Sequence, residues 1–201
     1  MKNKEVRLLD VELRTPQEED EKMVIEGYAI TFNEPATHGY TEIISDKALD
    51  NTDMSDVPLK YNHEDSHLIM ARTRNHSLEL KKDDKGLFIH AELIDTQSNK
   101  DIYKSIKAGL IDKMSFGFTV RGDEYDYDTD TRTITDIEKL FDVSVVDMPF
   151  YDTTSVYARN ENDDFLARRE ELRKEHEEAL KEEERKQALK DAKEKLLAKL
   201  G

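Results

Sequence analysis

Ser77–Leu93 reads SLELKKDDKGLFIHAEL. Ser77-Leu78-Glu79-Leu80-Lys81 alternates polar and apolar residues. Asp83-Asp84-Lys85-Gly86 is turn chemistry, and Leu87-Phe88-Ile89-His90-Ala91-Glu92-Leu93 returns. Period-two alternation on both sides of such a cluster predicts an antiparallel hairpin. Working back along the chain, Val57–Tyr61 and Glu42–Ser45 read as short strands. Met23–Phe32 is a longer one, with Gly27 inside it and Asn33-Glu34-Pro35 to end it. Glu5–Leu13 carries Val6, Leu8, Val11 and Leu13. Working forward, Asp95–Ala108 predicts a helix, with Ser98 as cap, Ile102, Tyr103 and Ile106 as its buried face, and Gly109 as its end. Met114–Val120, Thr133–Ile137 and Leu140–Val146 are further strands, and the acidic, aromatic Gly122–Thr131 is an exposed loop or hairpin tip. The expected class is α+β: a mostly antiparallel, barrel-like sheet domain with few helices, followed by a long charged C-terminal helix.

That helix is a compositional inference. The chain has 201 residues and a formal charge of −15, with 38% charged and 36% apolar residues. Residues 160–201 hold 11 basic and 13 acidic residues and no Pro, and their single Gly is Gly201. Residues 1–159 keep 20 basic and 33 acidic residues, and with them most of the negative charge. The tail is built from strong helix formers. Phe165, Leu172, Leu180, Leu189, Leu196 and Leu200 form a narrow stripe, the pattern of a solvated helix or of a coiled-coil tether. The division expected is a domain over 1–159 and a tail over 160–201. The charge balance argues against non-specific nucleic-acid binding, which needs clustered Lys and Arg. Cysteine is absent, so disulfides, thiol nucleophiles and Cys-ligated zinc are excluded. No apolar run approaches the roughly 18 residues of a spanning helix. Met1-Lys2-Asn3-Lys4 leads into mixed charge, and the expectation is a soluble intracellular protein without membrane contact.

Three segments offer chemistry. His63-Glu64-Asp65-Ser66-His67 matches the zinc-peptidase pattern, which requires a helix to bring both imidazoles to one metal; the strand-like residues before it argue against one. In Met114–Val120, Met114, Phe116 and Phe118 face one side and Ser115, Gly117 and Thr119 the other. Ser115 is either a structural serine or a nucleophile, and the second role needs a base and an acid. Asp142, inside the apolar Leu140–Val146, either faces solvent or is satisfied by a histidine.

Together these residues resemble the prohead maturation proteases of tailed bacteriophages. The resemblance rests on His63 after a strand, Ser115 in Met-Ser-Phe-Gly-Phe, and Asp142 in Phe-Asp-Val-Ser-Val-Val-Asp-Met-Pro. Gly27-Tyr28-Ala29 with Phe32-Asn33, Lys85-Gly86-Leu87 and Lys107-Ala108-Gly109-Leu110 extend it over residues 5–158. The family usually has Glu at the position of Asp142, and often Gly at that of Ala71. The resemblance implies a fold similar to herpesvirus assemblin and a serine endopeptidase with Ser115 as nucleophile, His63 as base and Asp142 as acid. His67 competes for the base, and Glu138 and Asp147 for the acid. Backbone N–H groups of Phe116 and Gly117, with Arg72 as a further candidate, would bind the oxyanion. No cofactor is implied. The implied substrates are the scaffolding segment of the major capsid protein and the protease itself, cut inside the assembling procapsid in the host cytoplasm. The tail would then be a tether or a propiece. The rival reading is a non-enzymatic internal scaffold.

Overall fold

The computed structural model describes residues 4–9, 13, 22–37, 39–65, 69–147 and 156–200. Three expectations fall outside them: the first strand's passage through Val11, His67 as the competing base, and Met148-Pro149. The chain divides into two compact units, 1–161 and 162–201.

The first unit is α+β and strand-rich. The Ser77–Leu93 hairpin is present as β7 (Leu78–Lys82) and β8 (Gly86–Leu93); β2 (Met23–Thr31) lies along the other edge of β8. Asp83 makes the turn, its Oδ1 accepting from Lys85 N–H at 2.9 Å and Gly86 N–H at 3.0 Å. The second sheet runs β1 (Glu5–Leu9), β9 (Lys113–Asp126), β10 (Thr131–Val146), β4 (Thr41–Ile44), β3 (Ala36–Thr37). A branch off β10 adds β5 (Pro58–Tyr61) and β6 (Ala71–Arg72). β4 and β5 pair with β10 in parallel; the other ladders are antiparallel. Among the described residues no ladder joins the two sheets, so they share a core without closing into a barrel. Ile25, Ile30, Leu87, Ile89, Phe116, Phe118, Ile137 and Val143 are fully buried in that core. Each such side chain contributes about 1.5–3 kcal/mol of transfer free energy.

Two expectations are corrected. The helix α1 (Gln97–Lys107) is capped by Thr96, not Ser98. Thr96 has the extended backbone that a cap needs, and its hydroxyl accepts from Asn99 N–H at 3.2 Å. The strands expected over Thr133–Ile137 and Leu140–Val146 are one 16-residue strand, β10. Its partner β9 continues to Asp126, leaving Tyr127–Asp130 as the turn. Register shifts along this ladder, each an extra residue on one strand, break the side-chain alternation without ending the strand.

The first strand is tied down by buried charge. Arg7 pairs with Glu42, and with Glu5 at 2.5 Å. Arg132 reaches Glu5 at 2.8 Å, Glu42 at 3.1 Å and Asp123 at 2.8 Å. Tyr40 donates to Glu42 at 3.3 Å, and burial, reinforced by the Glu42 charge, pushes its hydroxyl up to about 12. Burying so many charges is tolerable only because each meets an opposite one; removing one partner of such a set costs about 3–5 kcal/mol. The helix α2 (Val156–Leu200), which begins in the last residues of the first unit and makes up the second, runs 45 residues, about 68 Å at the helical rise. Leu180 and Leu189 are exposed on it, and Lys186 pairs with Glu182 at 2.8 Å. None of the described helices is long and apolar enough to cross a membrane.

Candidate active site

β5 ends at Tyr61, and the chain reverses through Asn62 and His63, both with positive φ (51° and 57°). Glu64 N–H donates to the Tyr61 carbonyl at 3.0 Å, closing a tight turn of the mirror-image kind in which Asn is well tolerated. Holding a histidine in this backbone region costs on the order of 1–3 kcal/mol, so the surroundings must enforce it. Asn62 N–H donates to the Val145 carbonyl at 3.0 Å, and His63 N–H to Ser144 Oγ at 3.3 Å. Asp147 takes the Tyr61 hydroxyl and, at 3.0 Å, the Asn62 amide. The turn is thereby fastened to β10 on both sides.

A bulge aims the carboxylate. Leu140 pairs with Phe118, but Asp142 pairs with Gly117, so Phe141 is an extra residue. In an unbroken ladder Asp142 would oppose Phe116 on the core side. The insertion moves it to the other face, beside Ser115 and Gly117, and carries Ser144 opposite Ser115. A Cβ on Gly117 would meet Lys4 Cε and lie 2.9 Å from Asp142 Oδ2, so glycine leaves the room that carboxylate needs.

On that face a row of groups forms. His63 Nε2 lies 2.6 Å from Ser115 Oγ, and His63 Nδ1 bonds Asp142 Oδ1. Asp142 is fully buried and Ser115 nearly so. Burial alone would push the Asp142 carboxyl up. The hydrogen bond and charge of His63, together with the Lys4 ammonium 2.7 Å from Oδ2, override it and hold Asp142 well below the usual carboxylate range. Ser144 Oγ lies 3.1 Å from Asp142 Oδ1 and 3.2 Å from His63 Nδ1. The Ser115 hydroxyl also has the Arg7 carbonyl oxygen at 2.7 Å.

His63, Ser115 and Asp142 thus come together from the turn after β5, from β9 and from β10. Asp147 instead anchors the turn, and Glu138 is the extra residue of a second bulge, between Ile137 and Lys139. Arg72 is held by Asp56, with Nη2 at 2.8 Å from Oδ2. His63 stands in a turn rather than on a helix, so the helical spacing that the zinc reading requires is not present at its first ligand. Phe116 and Gly117 sit between β1 and β10, and successive N–H groups of a strand point to opposite neighbours, so one faces each partner. Sequence reasoning missed Ser144 and the first strand's approach. Ser144 is two residues from Asp142, and that spacing on a strand was an available signal.

Residues 10–167 match the family described as caudovirus prohead serine protease. The chain belongs to that family. Among curated proteins it resembles the prohead protease of Enterobacteria phage HK97, at 27% identity over 139 residues; the match covers 67% of this chain and 59% of that protein. Among solved structures it resembles the bacteriophage T4 capsid assembly protease, with a TM-score of 0.46 and 13% identity over 71% of this chain and 98% of that one. His63, Ser115 and Asp142 all lie within the matched residues 10–167, and the chain spans less than two thirds of the length of the curated HK97 relative.

Proposed function

We propose that this chain is a prohead maturation serine endopeptidase that cuts the scaffolding segment of the major capsid protein, and itself, inside the assembling procapsid. The observation that carries the reading is the row Asp142–His63–Ser115, with His63 Nε2 at 2.6 Å from Ser115 Oγ. Hydrogen-bond reach between nucleophile and base, and between base and acid, is what acyl transfer demands of a serine. Ser115 Oγ attacks the scissile carbonyl carbon while its proton passes to His63 Nε2. The carbonyl π electrons move onto oxygen, where a strand N–H from Phe116 or Gly117 stabilises them. Asp142 keeps Nδ1 protonated and stabilises the imidazolium. The oxyanion collapses, the C–N bond breaks, and the amine leaves with the proton from Nε2. Water then repeats the sequence through the same base and frees Ser115. No cofactor enters these steps. The 45-residue α2 serves as a tether into the shell or as a late-removed propiece.

The test is co-expression with the phage's capsid protein, wild type beside Ser115→Ala, with fragment masses measured. Wild type should trim the capsid protein's scaffolding segment and itself, and Ser115→Ala should leave both intact while keeping its circular dichroism spectrum. Identical fragments from both would overturn the reading. A scaffold without enzymatic activity predicts no fragments from either. Chelator-sensitive cleavage indifferent to Ser115→Ala is the metallopeptidase outcome.

A further inference from the structure

The first strand lies where a serine peptidase needs open space. β1 pairs antiparallel with β9 along Met114–Phe118, placing Leu8 opposite Ser115 and Val6 opposite Gly117. Ser115 has one hydroxyl proton and two acceptors within reach: His63 Nε2 at 2.6 Å and the Arg7 carbonyl oxygen at 2.7 Å. A carbonyl has no proton to give, so the two compete, and each hydrogen bond to Arg7 turns the proton away from the base. Lys4 adds a second effect. Its ammonium, 2.7 Å from Asp142 Oδ2, takes up negative charge that would otherwise stabilise the imidazolium. The strand also covers the β9 edge toward which one of the Phe116 and Gly117 N–H groups points.

We propose that β1 is a built-in pseudo-substrate: it fills the place along β9 that an extended substrate peptide takes, and it must leave before Ser115 reacts. This rests on the serine-protease reading above. The occupant's chemistry follows from the berth. Backbone hydrogen bonding to β9 supplies general affinity for an extended segment. On one side of the strand the buried Glu42 carboxylate receives the Arg7 guanidinium; on the other Asp142 receives the Lys4 ammonium. An extended peptide with basic residues at those two positions competes with β1. Once β1 is out, Glu42 keeps Arg132 and Tyr40 as partners, so the vacated site does not strand a lone buried charge.

The experiment measures how fast a fluorophosphonate, which labels activated serines, modifies Ser115 in the full chain. Wild type is compared with Lys4→Ala, with Lys4→Ala/Arg7→Ala, and with a chain lacking residues 1–9. The double variant and the shortened chain should label at least tenfold faster than wild type. Lys4→Ala, which leaves the buried ion cluster whole, should fall between. A synthetic peptide of residues 2–10 added to the shortened chain should slow labelling again. If the shortened chain fails to fold, judged by circular dichroism, the two full-length variants decide. Labelling of wild type as fast as the folded variants, or indifference of a folded shortened chain to the peptide, overturns the pseudo-substrate and leaves the protease reading standing. No labelling of Ser115 in any folded form removes the serine-protease reading, and this inference with it.

Discussion

An imidazole takes a proton efficiently only while it stays aimed at the hydroxyl, and His63 is braced from behind by Ser144, which touches its Nδ1, its backbone N–H and Asp142. Ser144→Ala removes that brace and leaves His63 and Ser115 in place. We expect kcat to fall about 10- to 100-fold with KM little changed, as for a small misplacement of a reacting group. The pH profile should also move, since the hydroxyl contacts the carboxylate. Unchanged kcat would make Ser144 a filler of space. Asp142→Asn is the harsher change. On the proposed mechanism it removes the charge that favours the imidazolium and allows the wrong tautomer, with an expected loss of about 10⁴-fold in kcat. The same substitution tests the stability linkage. Asp142 is depressed below its ordinary value of 3.8 in the folded chain. The folded state therefore gains from its ionisation above that pH, and the gain drains away as pH falls from there toward the depressed native value. Tm measured against pH should fall steeply below about pH 4 for wild type and less steeply for Asp142→Asn; parallel curves would show that Asp142 is not the linked group.

Strand irregularities do the positioning at the scale of elements. Gly86 opens β8 opposite Thr31, and a Cβ there would run into the Ile30 carbonyl oxygen, a backbone atom that cannot swing aside. Gly86→Ala should destabilise the first unit by about 1–3 kcal/mol, read as a lower urea midpoint at unchanged slope. Little or no shift would mean that β2 yields at its bulge between Tyr28 and Ile30. The hairpin around Gly86 was legible in the sequence because period-two alternation and an Asp-rich turn are local signals. Ser115 was legible as the small-residue face of an apolar strand, and His63 as a histidine just past one. What could not be read was the side on which Asp142 falls. Alternation alone places it with Leu140, in the core; the extra Phe141 reverses that, and an inserted residue leaves no mark in an apolar run. The same blindness split β10 in two. The cluster of Glu5, Arg7, Glu42 and Arg132 escaped for a different reason. Glu5 and Arg7 are neighbours, but Glu42 and Arg132 are far from them and from each other in sequence, and each taken singly reads as the solvent-facing residue of an amphipathic strand.

At the scale of the whole molecule, the two units differ in how their surfaces are satisfied. The first buries most of its apolar residues in a shared core, with Ile69, Ile94 and Leu110 exposed, whereas on α2 Phe165 is buried and Leu180 and Leu189 stand exposed among charges. The family match ends at residue 167, so 33 of the 45 residues of that charged helix lie beyond the part the chain shares with the family. A helix with a thin apolar stripe gains stability chiefly from another helix that covers it, and its Glu and Lys pairs add only about 0.2–0.5 kcal/mol each. If the helix is a tether, peptide-bond chemistry and delivery are separable properties. Removing 160–201 should leave fluorophosphonate labelling of Ser115, and cleavage of capsid protein mixed in solution, within about twofold of wild type, since His63, Ser115 and Asp142 and the groups that contact them all lie before residue 160. The same truncation should reduce copies of the protease per purified procapsid by tenfold or more, counted by quantitative mass spectrometry after expression with the capsid protein. Equal packaging of the truncated chain would assign recruitment to the first unit. Truncation that abolished labelling in a folded protein would make the helix part of the peptidase rather than its carrier.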